Sequence, residues 1–206
     1  RSMLLSTIAA MAQPRPNADG TVTFQYKNDS AKNVMVDVQF AGRKDMTRGA
    51  DGTWTVTLGP VAPDMYPYCY IVDGVSIMDP ENPQYFPNEG FKNSLLEISG
   101  NGSLPHVIKD VPHGRIEYIH YYSKSLGGTN TAVVYLPPSY NTMGMQFNMG
   151  DQKKYPVFYL ISGTTDTEEV YYKVGRVNYI LDNLIADKQA KEMIVVLISR
   201  SEERRV

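Results

Sequence analysis

The stretch "YPVFYLISGTTDTEEVYYKVG", residues 155–175, concentrates the chemistry of this chain. An apolar run leads through Ser162-Gly163-Thr164-Thr165 to the acids Asp166, Glu168 and Glu169. A turn of this kind at the end of a strand presents successive backbone N–H groups, which suits an anion. A phosphate cradle also wants a lysine; here three carboxylates stand nearby and would compete with a bound phosphate. Asp166 and Glu169 have instead the spacing of a capping pair at a helix start. The N–H groups of Gly163, Thr164 and Thr165 are left for a smaller task, the stabilisation of a transient oxyanion.

The remaining reactive residues do not assemble into a second site. No G-x-S-x-G occurs anywhere in the chain, so the usual setting of a serine nucleophile is absent. The three histidines are scattered: His106 and His113 read as linker residues and His120 as a strand residue. Cys69, the single cysteine, lies in "YPYCYIV" and reads as a small buried hydrophobe. One thiol forms no internal disulfide, and with three scattered histidines it makes no metal site. No catalytic side chain and no metal ligand set is therefore assigned. Aromatic residues are dense between 54 and 86, and most are expected in a core. Trp54 and Tyr85 are the candidates for stacking on a sugar ring, because a pyranose has an apolar face that fits an aromatic plane.

The chain has 206 residues, 42% hydrophobic and 20% charged, with a net charge of −2. This is the composition of an ordinary globular protein with one large or two small domains. It offers no basic footprint for nucleic acid. No run approaches the roughly 20 apolar residues of a membrane span. The opening "RSMLLSTIAAMAQ" combines a basic residue, a short apolar stretch and Ala10-Met11-Ala12. Residues 1–12 read as the remnant of a secretory signal, which predicts a periplasmic or secreted protein.

Two kinds of element must position these residues. Between 21 and 98 short alternating runs are separated by turn residues: Val22, Phe24 and Tyr26 share one face, and Val34, Val36, Val38 and Phe40 another. Asp51-Gly52 and Asp73-Gly74 mark hairpins, since a type I′ turn needs positive φ at both central residues. About seven such strands predict an immunoglobulin-like β-sandwich. After "SGNGSLPH" the pattern changes. "RIEYIHYYS" and "TAVVYLPPSY" form antiparallel neighbours across Gly127-Gly128, and "NTMGMQFNMGDQKK" is a surface insert. "YPVFYLI" reads as a buried central strand. Val177, Ile180, Leu181, Leu184 and Ile185 give a helical stripe, and "MIVVLI" is a further apolar strand. Strand, helix, strand is a parallel crossover. "MIVVLI" is expected as the last strand, with its far edge open.

The combination "VPHG", "YYS", "VYLPPSY", "YPVFYL" and "ILDNLIA" resembles the bacterial esterase D-type family, the feruloyl and acetylxylan esterases of carbohydrate esterase family 1. The earlier "DGTWTVTLGPVAPDMYPYCYIVDGVSIMDPEN" resembles the E-set domain that precedes such esterases. The resemblance covers residues about 18–197. It implies an E-set β-sandwich at 18–103, followed at 104–206 by the N-terminal part of an α/β-hydrolase domain. It also implies a secreted serine ester hydrolase that needs no cofactor and acts on acyl or feruloyl groups of plant-wall xylan. The family's strand after "YPV" commonly ends in His-Gly, and that loop supplies one oxyanion N–H. Here Ser162-Gly163 stands in its place, keeping the glycine and losing the histidine. The nucleophile, acid and histidine of the family order are expected beyond residue 206. The charged tail Arg200–Arg205 replaces the family's proline-containing loop and reads as a fragment end or a frame change. The rival reading is a non-catalytic glycan-binding or spacer module, which sequence downstream of 206 would separate from the esterase.

Overall fold

The computed structural model describes residues 14–100, 104–140 and 153–200. The signal-like 1–12, most of the insert 141–154 and the charged tail from 201 onward lie outside the described residues. The chain divides into two compact units, one comprising residues 1–86 and 92–99 and the other residues 87–91 and 100–206.

The first unit is wholly antiparallel. Its strands are β1 (Arg15–Pro16), β2 (Val22–Lys27), β3 (Val34–Val38), β4 (Gly42–Asp45), β5 (Thr47–Arg48), β6 (Thr53–Leu58), β7 (Asp64–Val72), β8 (Val75–Ile77) and β9 (Ser94–Ile98). They form two sheets, β1-β2-β6-β5 and β4-β3-β7-β8, with β9 also paired to β7. The alternation in β2 and β3 works as its period predicts. Val22, Phe24, Val34, Val36 and Val38 are buried in one core with Tyr68, Tyr70, Leu96 and Ile98, while the intervening residues face outward. Burying each such side chain contributes about 1.5–3 kcal/mol. Phe40 lies beyond the end of β3 and packs only against the edge of this core.

The two Asp-Gly turns differ. Asp73 (φ 48°) and Gly74 (φ 87°) are both left-handed, as a two-residue hairpin between β7 and β8 requires. At the other turn only Gly52 (φ 76°) is left-handed. That turn is longer, closed by Gly49 N–H donating to Thr53 O at 2.8 Å, while the Asp51 carboxylate accepts Thr53 N–H at 3.0 Å.

The second unit is built on β10 (Arg115–Ser123), β11 (Gly128–Leu136), β12 (Val157–Ile161), α1 (Val170–Lys173), α2 (Val177–Ala186) and β13 (Ile194–Ile198). Its sheet order is β10-β11-β13-β12. The β10–β11 hairpin is antiparallel, as expected, and β12 pairs β13 in parallel, from Val157↔Ile194 to Ile161↔Ile198. The connection between those two strands runs through α1 and α2.

This order corrects two expectations. "MIVVLI" lies inside the sheet, with β11 on one side and β12 on the other, so it is not the open edge. β12 was expected in the middle of the sheet; among the described residues it has a neighbour on one side only. Val157, Phe158, Tyr159 and Ile161 are 49%, 50%, 61% and 46% exposed. The crossover returns β13 to the inner side of β12, and this choice of neighbour leaves no trace in the composition of either strand. The helical stripe is narrower than its spacing suggested. Val177, Leu181 and Ile185 pack on Val133, Tyr135, Val195 and Leu197, while Ile180 and Leu184 stay outside this cluster.

Candidate functional site

The turn after β12 is held from below. Ser162 N–H donates to Ile198 O at 3.0 Å, which continues the parallel ladder by one residue. Its buried hydroxyl donates to Asp166 O at 2.8 Å and accepts Arg200 N–H at 3.3 Å, and Ser199 Oγ also reaches Asp166 O at 3.3 Å. Ser162 is therefore a fastener of the turn, its oxygen already engaged, and not a nucleophile. Above it, Asp166 N–H closes the turn on Gly163 O at 3.3 Å. Gly163, Thr164 and Thr165 are exposed, and their three N–H groups meet no acceptor among the described residues. Gly163 does not occupy the left-handed region. What favours glycine there is proximity: a Cβ would lie 2.8 Å from Asp166 Oδ2.

Residues 87–91 cross the outer side of the same turn and belong to the same unit. Glu89 N–H donates to Thr165 O at 2.9 Å and Thr167 N–H to Pro87 O at 3.4 Å. Asn88 Nδ2 donates to Thr165 Oγ1 at 3.1 Å and to Asp166 Oδ1 at 3.4 Å. Sequence reasoning missed this strap, since the partners are 77 and 78 residues apart.

The expected capping pair does not form. Glu169 occupies the N-cap of α1 with no side-chain cap hydrogen bond. Its carboxylate instead accepts from Tyr118 Oη, which also meets Tyr172 Oη, and lies 3.6 Å from Lys173 Nζ. Two phenols and an ammonium outcompete exposed backbone N–H groups for this carboxylate. Burial, then the hydrogen bonds to Glu169 and Tyr172, hold the Tyr118 phenol well above its usual range.

A second polar cluster was also missed. Asp182 on α2 is 2% exposed, yet its Oδ1 accepts Tyr135 Oη at 2.7 Å and Gly114 N–H at 2.9 Å. Its Oδ2 lies 2.8 Å from His113 Nδ1. His113 is thus no mere linker: it helps to satisfy a buried carboxylate. A His–Asp pair is also the geometry that orients a catalytic base, but His113 makes no hydrogen bond to a serine, threonine or cysteine among the described residues. Asp182 also borders a hollow of about 360 Å³ lined by Pro112, Pro138, Ser139, Ile185 and Glu192. No residue of the Gly163 turn lines it. The signal for Asp182 was a lone carboxylate beside an apolar helical stripe. His120, in β10 as expected, pairs its Nδ1 with Thr131 Oγ1 at 2.9 Å.

The two sugar-stacking candidates part company. Trp54 is 6% exposed, packs in the first core and donates Nε1–H to Asn28 O at 3.0 Å, so neither ring face is open to a sugar. This corrects the expectation, and the cause is the period of β6, which turns Trp54 inward opposite Tyr26. Tyr85 is half-buried, with Lys92 Nζ 5.5 Å from its ring centre. Cys69 is buried and unpaired, and burial pushes its thiol above the usual range. Among the described residues no helix is long and apolar enough to cross a membrane.

Residues 123–206 match the family model named Esterase. Over 187 residues the chain is 32% identical to an endo-1,4-beta-xylanase/feruloyl esterase of Xylanibacter ruminicola, covering 89% of this chain and 25% of that protein. Among solved structures, the ferric enterobactin esterase of Salmonella typhimurium superposes with a TM-score of 0.57 at 15% identity, covering 96% of this chain and 59% of that one. The enterobactin esterase of Shigella flexneri gives 0.59 at 18%, covering 93% and 55%. At these identities the two structures speak for the fold. The chain spans a quarter of the length of its curated relative and less than three fifths of these structures. The sequence match over 123–206 and the curated relative make this chain similar to esterases, and the two solved structures share its fold.

Proposed function

We propose that this chain is the front part of a secreted carboxylic-ester hydrolase acting on acyl or feruloyl groups of plant-wall polysaccharide. In this reading residues 18–103 are an immunoglobulin-like E-set domain and residues 104–206 open an α/β-hydrolase domain. The mechanism uses a serine nucleophile, with serine, acid and histidine all supplied beyond residue 206. The observation that carries it is the turn at Gly163–Thr165. Three N–H groups stand open at the carboxyl end of β12, where parallel sheets receive their ligands, and Ser162, Ser199 and Asp166 O fix the turn below them. Such donors lower the barrier by meeting charge that develops on the carbonyl oxygen, and they do so without a metal or cofactor.

Two measurements test this. Residues 1–206 alone should not turn over p-nitrophenyl acetate above a buffer blank, because open N–H groups without an activated nucleophile leave only residual catalysis. The reading frame continued past residue 206 should release ferulate from methyl ferulate, and Gly163→Val in that longer protein should lower kcat roughly 10²–10³-fold. Labelling of a serine in residues 1–206 by a fluorophosphonate, or a folded Gly163→Val enzyme with unchanged kcat, would refute the assignment. The glycan-binding alternative has lost Trp54 as a platform and keeps only the half-buried ring of Tyr85.

A further inference from the structure

The strap formed by residues 87–91 contributes no strand to the sheet of the second unit, yet it is bonded to the turn at Gly163–Thr165, whose N–H groups meet no acceptor among the described residues. We infer that Asn88 is a positioning residue, holding Thr165 and Asp166 so that the N–H groups of Gly163–Thr165 stay clear for an anionic oxygen. The inference rests on the reading of that turn as an oxyanion site.

Three observations converge on it. Asn88 spends both Nδ2 hydrogens on the turn, one toward Thr165 Oγ1 at 3.1 Å and one toward Asp166 Oδ1 at 3.4 Å. Its Oδ1 accepts Gly90 N–H at 2.9 Å, so the amide group is fixed at both ends. The backbone on either side repeats the attachment, through Glu89 N–H to Thr165 O and Thr167 N–H to Pro87 O. The target of the second Nδ2 bond decides the role. Asp166 stands beside the open N–H groups, its Oδ2 2.8 Å from where a Cβ on Gly163 would lie. A carboxylate free to rotate would fold over those donors and occupy the place of the substrate oxygen. The Asn88 amide holds Asp166 Oδ1, and the Thr165 hydroxyl is removed as a competing acceptor in the same contact. A neutral donor is what the position calls for, since a lysine there would itself bind the anion and an acid would repel Asp166 into the site.

Asn88→Asp is the discriminating variant. It keeps an oxygen to accept Gly90 N–H, removes the donor facing the turn and sets a second carboxylate beside Asp166, whereas Asn88→Ala removes donor and acceptor and adds no charge. Amide hydrogen exchange, read by NMR on the 206-residue chain, should accelerate up to about tenfold at Glu89 and Thr167 in both variants, the effect of one lost hydrogen bond. Amides of β2 and β6 should keep their rates. Unchanged rates at Glu89 and Thr167 in Asn88→Asp overturn the inference. A titration with methylphosphonate separates this from the parent reading. The Gly163–Thr165 amide signals should move in the wild-type chain and move less in Asn88→Ala, which removes the donor without adding charge. If they do not move in the wild type, the oxyanion reading of the turn fails, while the exchange rates still decide whether Asn88 positions it. In the longer, active protein Asn88→Asp should lower kcat with KM little changed; a rise in KM alone would make Asn88 a substrate contact and overturn the positioning role.

Discussion

Residues 66–72, "YPYCYIV", and residues 155–161, "YPVFYLI", are close to interchangeable as strings, each a Tyr-Pro followed by five apolar residues. Their fates are opposite. In β7 the run from Tyr68 to Ile71 is buried, with β3 along one edge and β8 and β9 along the other. In β12 four of five residues are near half exposed or more, and one edge has no neighbour among the described residues. Apolar composition sets how much a strand gains from being covered; the order of the sheet decides whether it is covered.

The sharpest way to break this comparison is to truncate one ring in each strand. Tyr70→Ala should destabilise the first unit by about 3–5 kcal/mol in urea denaturation, because the ring is fully buried between two sheets. Tyr159→Ala should change the stability of the second unit by no more than about 0.5 kcal/mol. Equal losses would mean that β12 is covered in solution. Its exposure should show in association instead: open apolar edges template pairing, so Tyr159→Lys should move the chain toward monomer in size-exclusion chromatography with light scattering.

The next effect concerns the polar partners of β7, which have no counterpart in β12 among the described residues. Tyr68 Oη donates to Asp79 Oδ2 at 2.7 Å and accepts from Asn82 Nδ2 at 2.9 Å, and Asn82 also donates to Leu95 O at 2.9 Å. Asn82→Ala should cost about 1–3 kcal/mol by leaving two buried acceptors short of a donor. Burial raises the Asp79 carboxyl above its ordinary value of 3.8, against the hydrogen bonds from Tyr68, Glu81 N–H and Tyr70. A raised carboxyl binds its proton more tightly in the folded state. Its contribution is therefore full below 3.8 and lost as pH rises through the folded value. Wild-type stability should rise relative to Asp79→Asn as the buffer is acidified from neutral toward that value, and a fall would contradict this sign.

The smallest effect is at the surface of the second unit. Lys153 pairs with Glu192, and that hydrogen bond holds the Glu192 carboxyl below its usual range. A lowered carboxyl contributes above its unfolded value and loses that contribution as pH falls through the folded one. Lys153 is more than half exposed, so Glu192→Gln should cost less than about 1 kcal/mol at neutral pH and nothing in acid, as thermal melts at two pH values would read.

The same contrast explains what could be read from the residues. The period of Val34, Val36 and Val38, the left-handed pair Asp73-Gly74 and the β10–β11 hairpin are local matters, and each was legible. So was the parallel pairing of β12 with β13, because a short connection through helices leaves few alternatives. The place of β13 on one side of β12 was not legible, since it depends on which side of the strand the crossover returns to. Trp54 was ambiguous only in face, and its register opposite Tyr26 resolves that. Asp182 and Asn88 were invisible for a different reason. Each is a polar residue whose partners lie far off in sequence, Gly114 68 residues from Asp182 and Thr165 77 from Asn88. Glu169 obeyed a local rule on paper and a tertiary one in the fold.

The strap at 87–91 sits, in sequence, between β8 and β9 of the first unit, yet it is counted with the second. Exon-like shuffling that cut this gene near residue 100 would leave residues 87–91 with the first unit and deprive the second of the clasp on its turn. Inheritance of the two halves as independent modules is therefore penalised, and their reassortment in other proteins should carry the Pro87–Phe91 segment along with its turn or rebuild it from new sequence.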